Sequence, residues 1–194
     1  MSVSPLDPIR AALGTLHFPP EVVLSHFRPR TLERGEYWVR SGDVARNLAF
    51  VAGGQLRHTR VTAEGKLLTR WATLPGQYAV LLPSFTQGTP AEDDVTATEI
   101  TELHELDHRT WAELRQTYPQ LQEFWAGQLE WLVGCFEARV WSLISGDAEA
   151  RYRYMLERYP HFILGLPQRY LADMLGIAPR HLSRIRAKVA RGEK

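Results

Sequence analysis

Hydrophobic and polar positions change rhythm twice along the chain. From Phe27 to about Leu106, apolar residues fall in strand-length runs rich in β-branched and aromatic side chains. These runs are Glu36–Arg40, Leu48–Val51, Gln55–Val61, Lys66–Thr73, Asp94–Thr98 and Thr101–Leu106. Turn signals separate them: Arg34-Gly35, Ser41-Gly42-Asp43, Gly53-Gly54, Ala63-Glu64-Gly65 and Pro75-Gly76. Such spacing predicts an antiparallel sandwich or jelly roll. The period then becomes helical. Asp107 is placed to N-cap a short helix through Arg115. Beyond Pro119, the residues Leu121, Trp125, Leu129, Leu132, Phe136, Val140 and Leu143 recur at steps of four and three. They form one apolar seam on a helix of about seven turns reaching Ile144.

A second apolar set, Phe124, Trp131, Cys135 and Ala138, lies on a different face of that helix. The preceding segment is too small to enclose both faces, so the second set is expected to meet another copy of the chain. Gly127 and Gly134 would let two backbones approach, each at a cost of about 1 kcal/mol in helix propensity. Ser145-Gly146-Asp147 ends the helix and caps a new one, Ala148 to about Tyr159, closed by Pro160. The expected organisation is α+β: a β-roll domain over 1–118, a dimerisation helix over 119–145, and an all-α domain over 146–194.

Within the last segment, Gln168 to Ala187 reads as a helix-turn-helix. Leu171, Leu175, Ile177, Leu182 and Ile185 are apolar where two short, steeply crossed helices must bury side chains. Ala172 is small at the closest approach, and Gly176 sits at the turn, where a left-handed backbone is needed. Pro167 and Pro179 suit first helical turns. The second helix, Ala178 to about Val189, then exposes Arg180, His181, Ser183, Arg184, Arg186 and Lys188. Its N-terminal residues Arg180, His181, Ser183 and Arg184 are expected to face base edges in a major groove. Arg169, Arg186 and Lys188 are expected to contact phosphates, which fix register without reading sequence.

Charge sharpens this picture. The formal net charge of +1 divides unevenly: residues 151–194 carry ten Lys/Arg against three acids, a net +7, leaving 1–150 at −6. A basic end segment on an acidic body fits a polyanion partner. Apolar residues make up 44% of the chain, enough for a core and against wholesale disorder. No apolar run approaches the ~20 residues of a membrane span, and Met1–Arg10 lacks the apolar stretch of a signal peptide, so a cytoplasmic protein without membrane contact is expected. The single Cys135 excludes an internal disulfide and cannot alone hold a cluster or a zinc finger.

The whole chain from about Phe27 to Lys188 resembles the Crp/Fnr family of bacterial transcription regulators. The residues that carry the resemblance are Leu32-Glu33-Arg34-Gly35-Glu36, Val39-Arg40-Ser41-Gly42-Asp43, and Leu48-Ala49-Phe50-Val51-Ala52-Gly53-Gly54-Gln55-Leu56-Arg57. Glu64-Gly65 and Leu74-Pro75-Gly76 follow, then the long helix and the helix-turn-helix. The resemblance implies a cyclic-nucleotide-binding-like β-roll and a homodimer on a pseudo-palindromic DNA site, with RNA polymerase as a further partner. Two departures stand out. Cyclic-nucleotide-binding members carry a Gly-Glu pair and, farther on, an Arg-Ser pair that hold ribose and phosphate. Here the stretch reads Tyr78-Ala79-Val80-Leu81-Leu82-Pro83-Ser84-Phe85, then Glu92-Asp93-Asp94, with neither the Glu nor the Arg. The acids would repel a phosphate, so neither cAMP nor cGMP is expected to bind. The β-hairpin wing that commonly follows the recognition helix is expected to be absent.

Other chemistry finds little support. A jelly roll can host a metalloenzyme, but His58, His104 and His108 share no ligand spacing, so no metal, no cofactor and no catalytic residues are expected. Cys135 lacks neighbours that would activate it and reads as packing. A hydrophobic effector pocket lined by some of the tryptophans is compatible with the sequence. The competing reading is a ligand-sensing or protein-interaction β-roll whose wingless helix-turn-helix binds DNA weakly or not at all.

Overall fold

In a computed structural model of the chain, residues 4–192 are described. Met1–Val3 and Glu193–Lys194, which form the outer ends of the expected domain ranges, lie outside the described residues. The elements run α1 (Asp7–Gly14), α2 (Glu21–Leu24), β1 (Arg28–Leu32), β2 (Tyr37–Val39), β3 (Asn47–Gly53), β4 (Leu56–Val61), β5 (Leu67–Thr73) and β6 (Tyr78–Ala79). Then come α3 (Leu82–Gln87), β7 (Asp94–Ala97), β8 (Thr101–Asp107), α4 (His108–Thr117), α5 (Pro119–Ser145), α6 (Ala148–Arg158), α7 (Pro160–Gly165), α8 (Gln168–Leu175) and α9 (Pro179–Ala190). The chain divides into two compact units: up to residue 59 with 72–129, and 60–71 with the chain from 130 onward.

The first unit is built on two four-stranded sheets, ordered β1-β8-β3-β6 and β2-β7-β4-β5. Strand β3 shows how the pattern sets the layers. It is buried on both faces, so its alternate side chains enter different cores. Ala49 and Val51 join Leu32, Trp38, Leu56, Val95 and Leu103 between the sheets. Leu48 and Phe50 point the other way, into a cluster with Ile9, Leu13, Trp111 and Leu121 from the helices and with Phe27 from the segment before β1. Gly54 turns the chain between β3 and β4 with φ +77°, and a Cβ there would stand 2.3 Å from the Ile100 carbonyl oxygen. Only glycine fits that contact.

The second unit joins the tip of the β4–β5 hairpin to the C-terminal half of α5 and to α6–α9. Asp147 caps α6 by accepting from the Ala150 amide at 2.8 Å, as Asp107 caps α4 by accepting from that of Thr110 at 2.9 Å. The hairpin is tied to α8 through Asp173, whose Oδ2 accepts from both the amide and the hydroxyl of Thr69 at 3.0 and 2.9 Å.

Several elements depart from the sequence expectation. Helices α1, α2, α3 and α7 and strands β1 and β6 were not anticipated, and Pro160 opens α7 at its first turn rather than merely closing α6. The expected continuous seam on α5 holds only for its first turns. Leu121 is fully buried, whereas Phe136, Val140 and Leu143 are exposed. In the second unit the covered face of α5 has rotated to the side of Cys135, Arg139 and Ser142, so a single stripe cannot serve the whole helix.

Candidate nucleic-acid interface

Helices α8 and α9 are held by a small, fully closed core. Leu171, Ala172 and Leu182 have no exposed surface, and Tyr170, Met174, Leu175 and Ile185 are buried around them. Ile177 is only half-buried. Gly176 adopts φ +68°, ending α8 with its amide donating to the Asp173 carbonyl at 3.0 Å, while the Ile177 amide donates to Ala172 at 3.0 Å. Pro167 sits just before α8 as its cap residue, and Pro179 is the first residue of α9.

With Leu182, Ile185 and Val189 turned inward, the opposite face of α9 carries cations. Arg180, His181, Ser183 and Arg184 are all exposed. Arg180 and Arg184 are one turn apart on one face. Among the described residues, no carboxylate pairs with Arg180, Arg184 or Arg186 within 4 Å. Ser183 is less free: it accepts from Gln168 Nε2 and donates to the Pro179 carbonyl at 3.2 Å.

The three expected phosphate contacts differ in setting. Arg169 is exposed, 2.7 Å from the Tyr170 hydroxyl and stacked over its ring. Arg186 is half-buried at the edge of the face. Lys188 donates to Glu149 Oε2 at 2.8 Å. Glu149 also accepts from Arg153 at 2.8 Å, and these two hydrogen bonds hold its carboxyl below the usual range. Glu149 and Gln168 were not singled out in the sequence; each lies far along the chain from the side chain it holds.

The expected dimer residues do not share one surface. Phe124 packs against the first unit's core, with its ring 6.5 Å from that of Trp111. Cys135 is half-buried and accepts from the Tyr159 hydroxyl at 3.4 Å, and Ala138 is half-buried. Trp131 is 61% exposed. Val133, Val140, Trp141 at 67% and Ile144 at 74% are further open apolar positions on α5.

The remaining candidates lie elsewhere. His58 is buried, with Nε2 2.9 Å from the Thr73 hydroxyl. His104 is half-buried, and loss of hydration lowers its pKa. No group of three or more potential metal ligands occurs among the described residues. No helix among them is long and apolar enough to cross a membrane.

Solved structures match this arrangement over most of its length. FixK2 from Bradyrhizobium japonicum is 16% identical with a TM-score of 0.71, covering 86% of this chain and 85% of its own. The c-di-GMP-responsive global regulator CLP of Xanthomonas campestris is 18% identical, TM-score 0.65, with 89% and 90% covered. The chain has the same fold as these proteins. The catabolite activator protein of Thermus thermophilus extends the match to 97% of this chain and 88% of its own, at 23% identity and TM-score 0.54. No protein-family model matches the sequence, and no curated protein matches it significantly. Within this fold, α8 and α9 form two short helices joined by the turn at Gly176, and α5 is the long helix earlier in the chain.

Proposed function

We propose that the protein is a homodimeric, sequence-specific DNA-binding transcription regulator of the cytoplasm that acts without a cyclic nucleotide. The observation that carries this reading is the outer face of α9, where Arg180 and Arg184 project one turn apart with no carboxylate partner among the described residues. A guanidinium on such a face offers two parallel donors to the O6 and N7 of guanine. His181 and Ser183 lie beside them, and Arg169, Arg186 and Lys188 flank them as phosphate contacts. Residues 119–145 serve as the dimer helix, 1–118 as a sensor-like β-roll and 146–194 as the DNA-binding domain. Trp131 belongs to the dimer surface together with Val133, Val140, Trp141 and Ile144. Two recognition helices would then enter successive major grooves about 34 Å apart.

The test is affinity for duplex DNA as a function of salt, followed by fluorescence anisotropy. Neutralising several phosphates requires log K to fall steeply with log salt, by roughly 0.9 per phosphate contact. A flat dependence would favour the β-roll interaction module instead.

A further inference from the structure

The second unit contains a cleft that the DNA-binding reading does not use. It is a narrow cleft, partly open to solvent. Trp71, Tyr159, Phe162 and Met174 form much of its wall, with Arg139 and Arg151 among the lining side chains. The rings are mutually packed: Trp71 and Phe162 meet edge-to-face at 5.3 Å, and Tyr159 meets Phe162 at 6.2 Å.

The two arginines make this cleft unusual. Arg139 donates to the carbonyls of Arg70 and Met174 at 2.9 and 3.2 Å. Arg151 donates to those of Leu175 and Gly146 at 3.0 and 2.8 Å. Neither has a carboxylate among its partners in the described residues. Loss of hydration, reinforced by the nearby Arg70 guanidinium, pulls the Arg139 pKa down to about 10. Each guanidinium has five N–H donors and uses only two on these carbonyls. Two cations placed in one aromatic cleft without a counter-ion are costly unless an anion joins them.

We propose that the cleft is a binding site for a small aromatic carboxylate, its ring held by the Trp71–Phe162 wall and its charge by Arg139 and Arg151. An inorganic anion would make no use of the aromatic wall. A neutral aromatic would leave both guanidiniums uncompensated. The ligand that satisfies both carries one ring and one carboxylate.

Calorimetry on the full chain tests this with benzoate, using benzyl alcohol and acetate as the neutral and the ring-less counterparts. Because no DNA is present, the outcome is independent of whether α9 reads DNA. Benzoate should bind one site per chain, at least tenfold more tightly than either counterpart. Arg139→Gln and Arg151→Gln should each weaken it at least tenfold; the second variant keeps the test open if the first fails to fold. Absence of benzoate binding up to about 10 mM, a weak limit on any affinity scale, would overturn the proposal. So would equal binding of benzyl alcohol or acetate, or unchanged binding in folded Arg151→Gln.

Discussion

The Lys188 ammonium on α9 lies 2.8 Å from Glu149 Oε2 on α6, while Glu149 Oε1 accepts from Arg153. This pair holds the C-terminal half of the proposed recognition helix to the helix behind it, and under the proposed function it would compete with a DNA phosphate for Lys188. Glu149→Gln should therefore release the lysine, tighten binding to all duplexes alike and steepen the salt dependence by up to about one phosphate contact. Titration of anisotropy across a salt series measures it; an unchanged slope would mean that Lys188 does not reach a phosphate.

The same pair has a pH signature. The Glu149 carboxyl is held below its ordinary 4.5 by hydrogen bonds from Lys188 and Arg153. A depressed carboxyl stabilises the fold above its unfolded pKa and loses that contribution as pH falls through the folded value. The α6–α9 tie should thus persist at neutral pH and open only below 4.5. Carboxyl NMR of Glu149 should show a midpoint below 4.5 that moves up in Lys188→Ala. Identical midpoints in the two proteins would remove Lys188 as the cause.

Base and phosphate contacts predict different mutational patterns. Arg180→Ala and Arg184→Ala should each lose about 1–3 kcal/mol of discrimination at particular base pairs. Arg186→Ala should weaken every sequence about equally. Competition binding against single-base operator variants separates these patterns. A change of base preference in Arg186→Ala, with Arg184→Ala silent, would mean that α9 faces the groove differently.

How much of this was legible in the sequence depended on whether the signal was local. The helix-turn-helix core at Leu171, Ala172, Leu182 and Ile185 could be read because its spacing is fixed by two short helices and one turn. The caps at Asp107 and Asp147 were legible for the same reason. The long helix was recognised, but its covered face was not. Phe124 is held by Trp111 and Cys135 by Tyr159, and periodicity within one helix cannot reveal partners on other elements. The Lys188–Glu149 pair was not legible because its two members lie 39 residues apart along the chain. Strands β1 and β6 were missed because Arg28–Leu32 is largely polar and Tyr78–Ala79 is two residues long.

The exposed stripe on α5 gives a prediction for assembly. Trp141 and Ile144 are 67% and 74% exposed, more than a free helix face ordinarily tolerates beside Val133 and Val140. Analytical ultracentrifugation should find a dimer, and Val140→Glu with Ile144→Glu should shift it to monomer without unfolding the β-roll. A monomeric parent protein would remove this stripe as a dimer surface.

The most direct test of the central claim is selection of genomic fragments by the purified protein at ~150 mM salt, with and without cAMP. The account predicts one inverted repeat, with half-site centres about one helical turn apart, recovered equally in both arms. Recovery of no motif in either arm, or of the same motif by Arg180→Ala with Arg184→Ala, would contradict it.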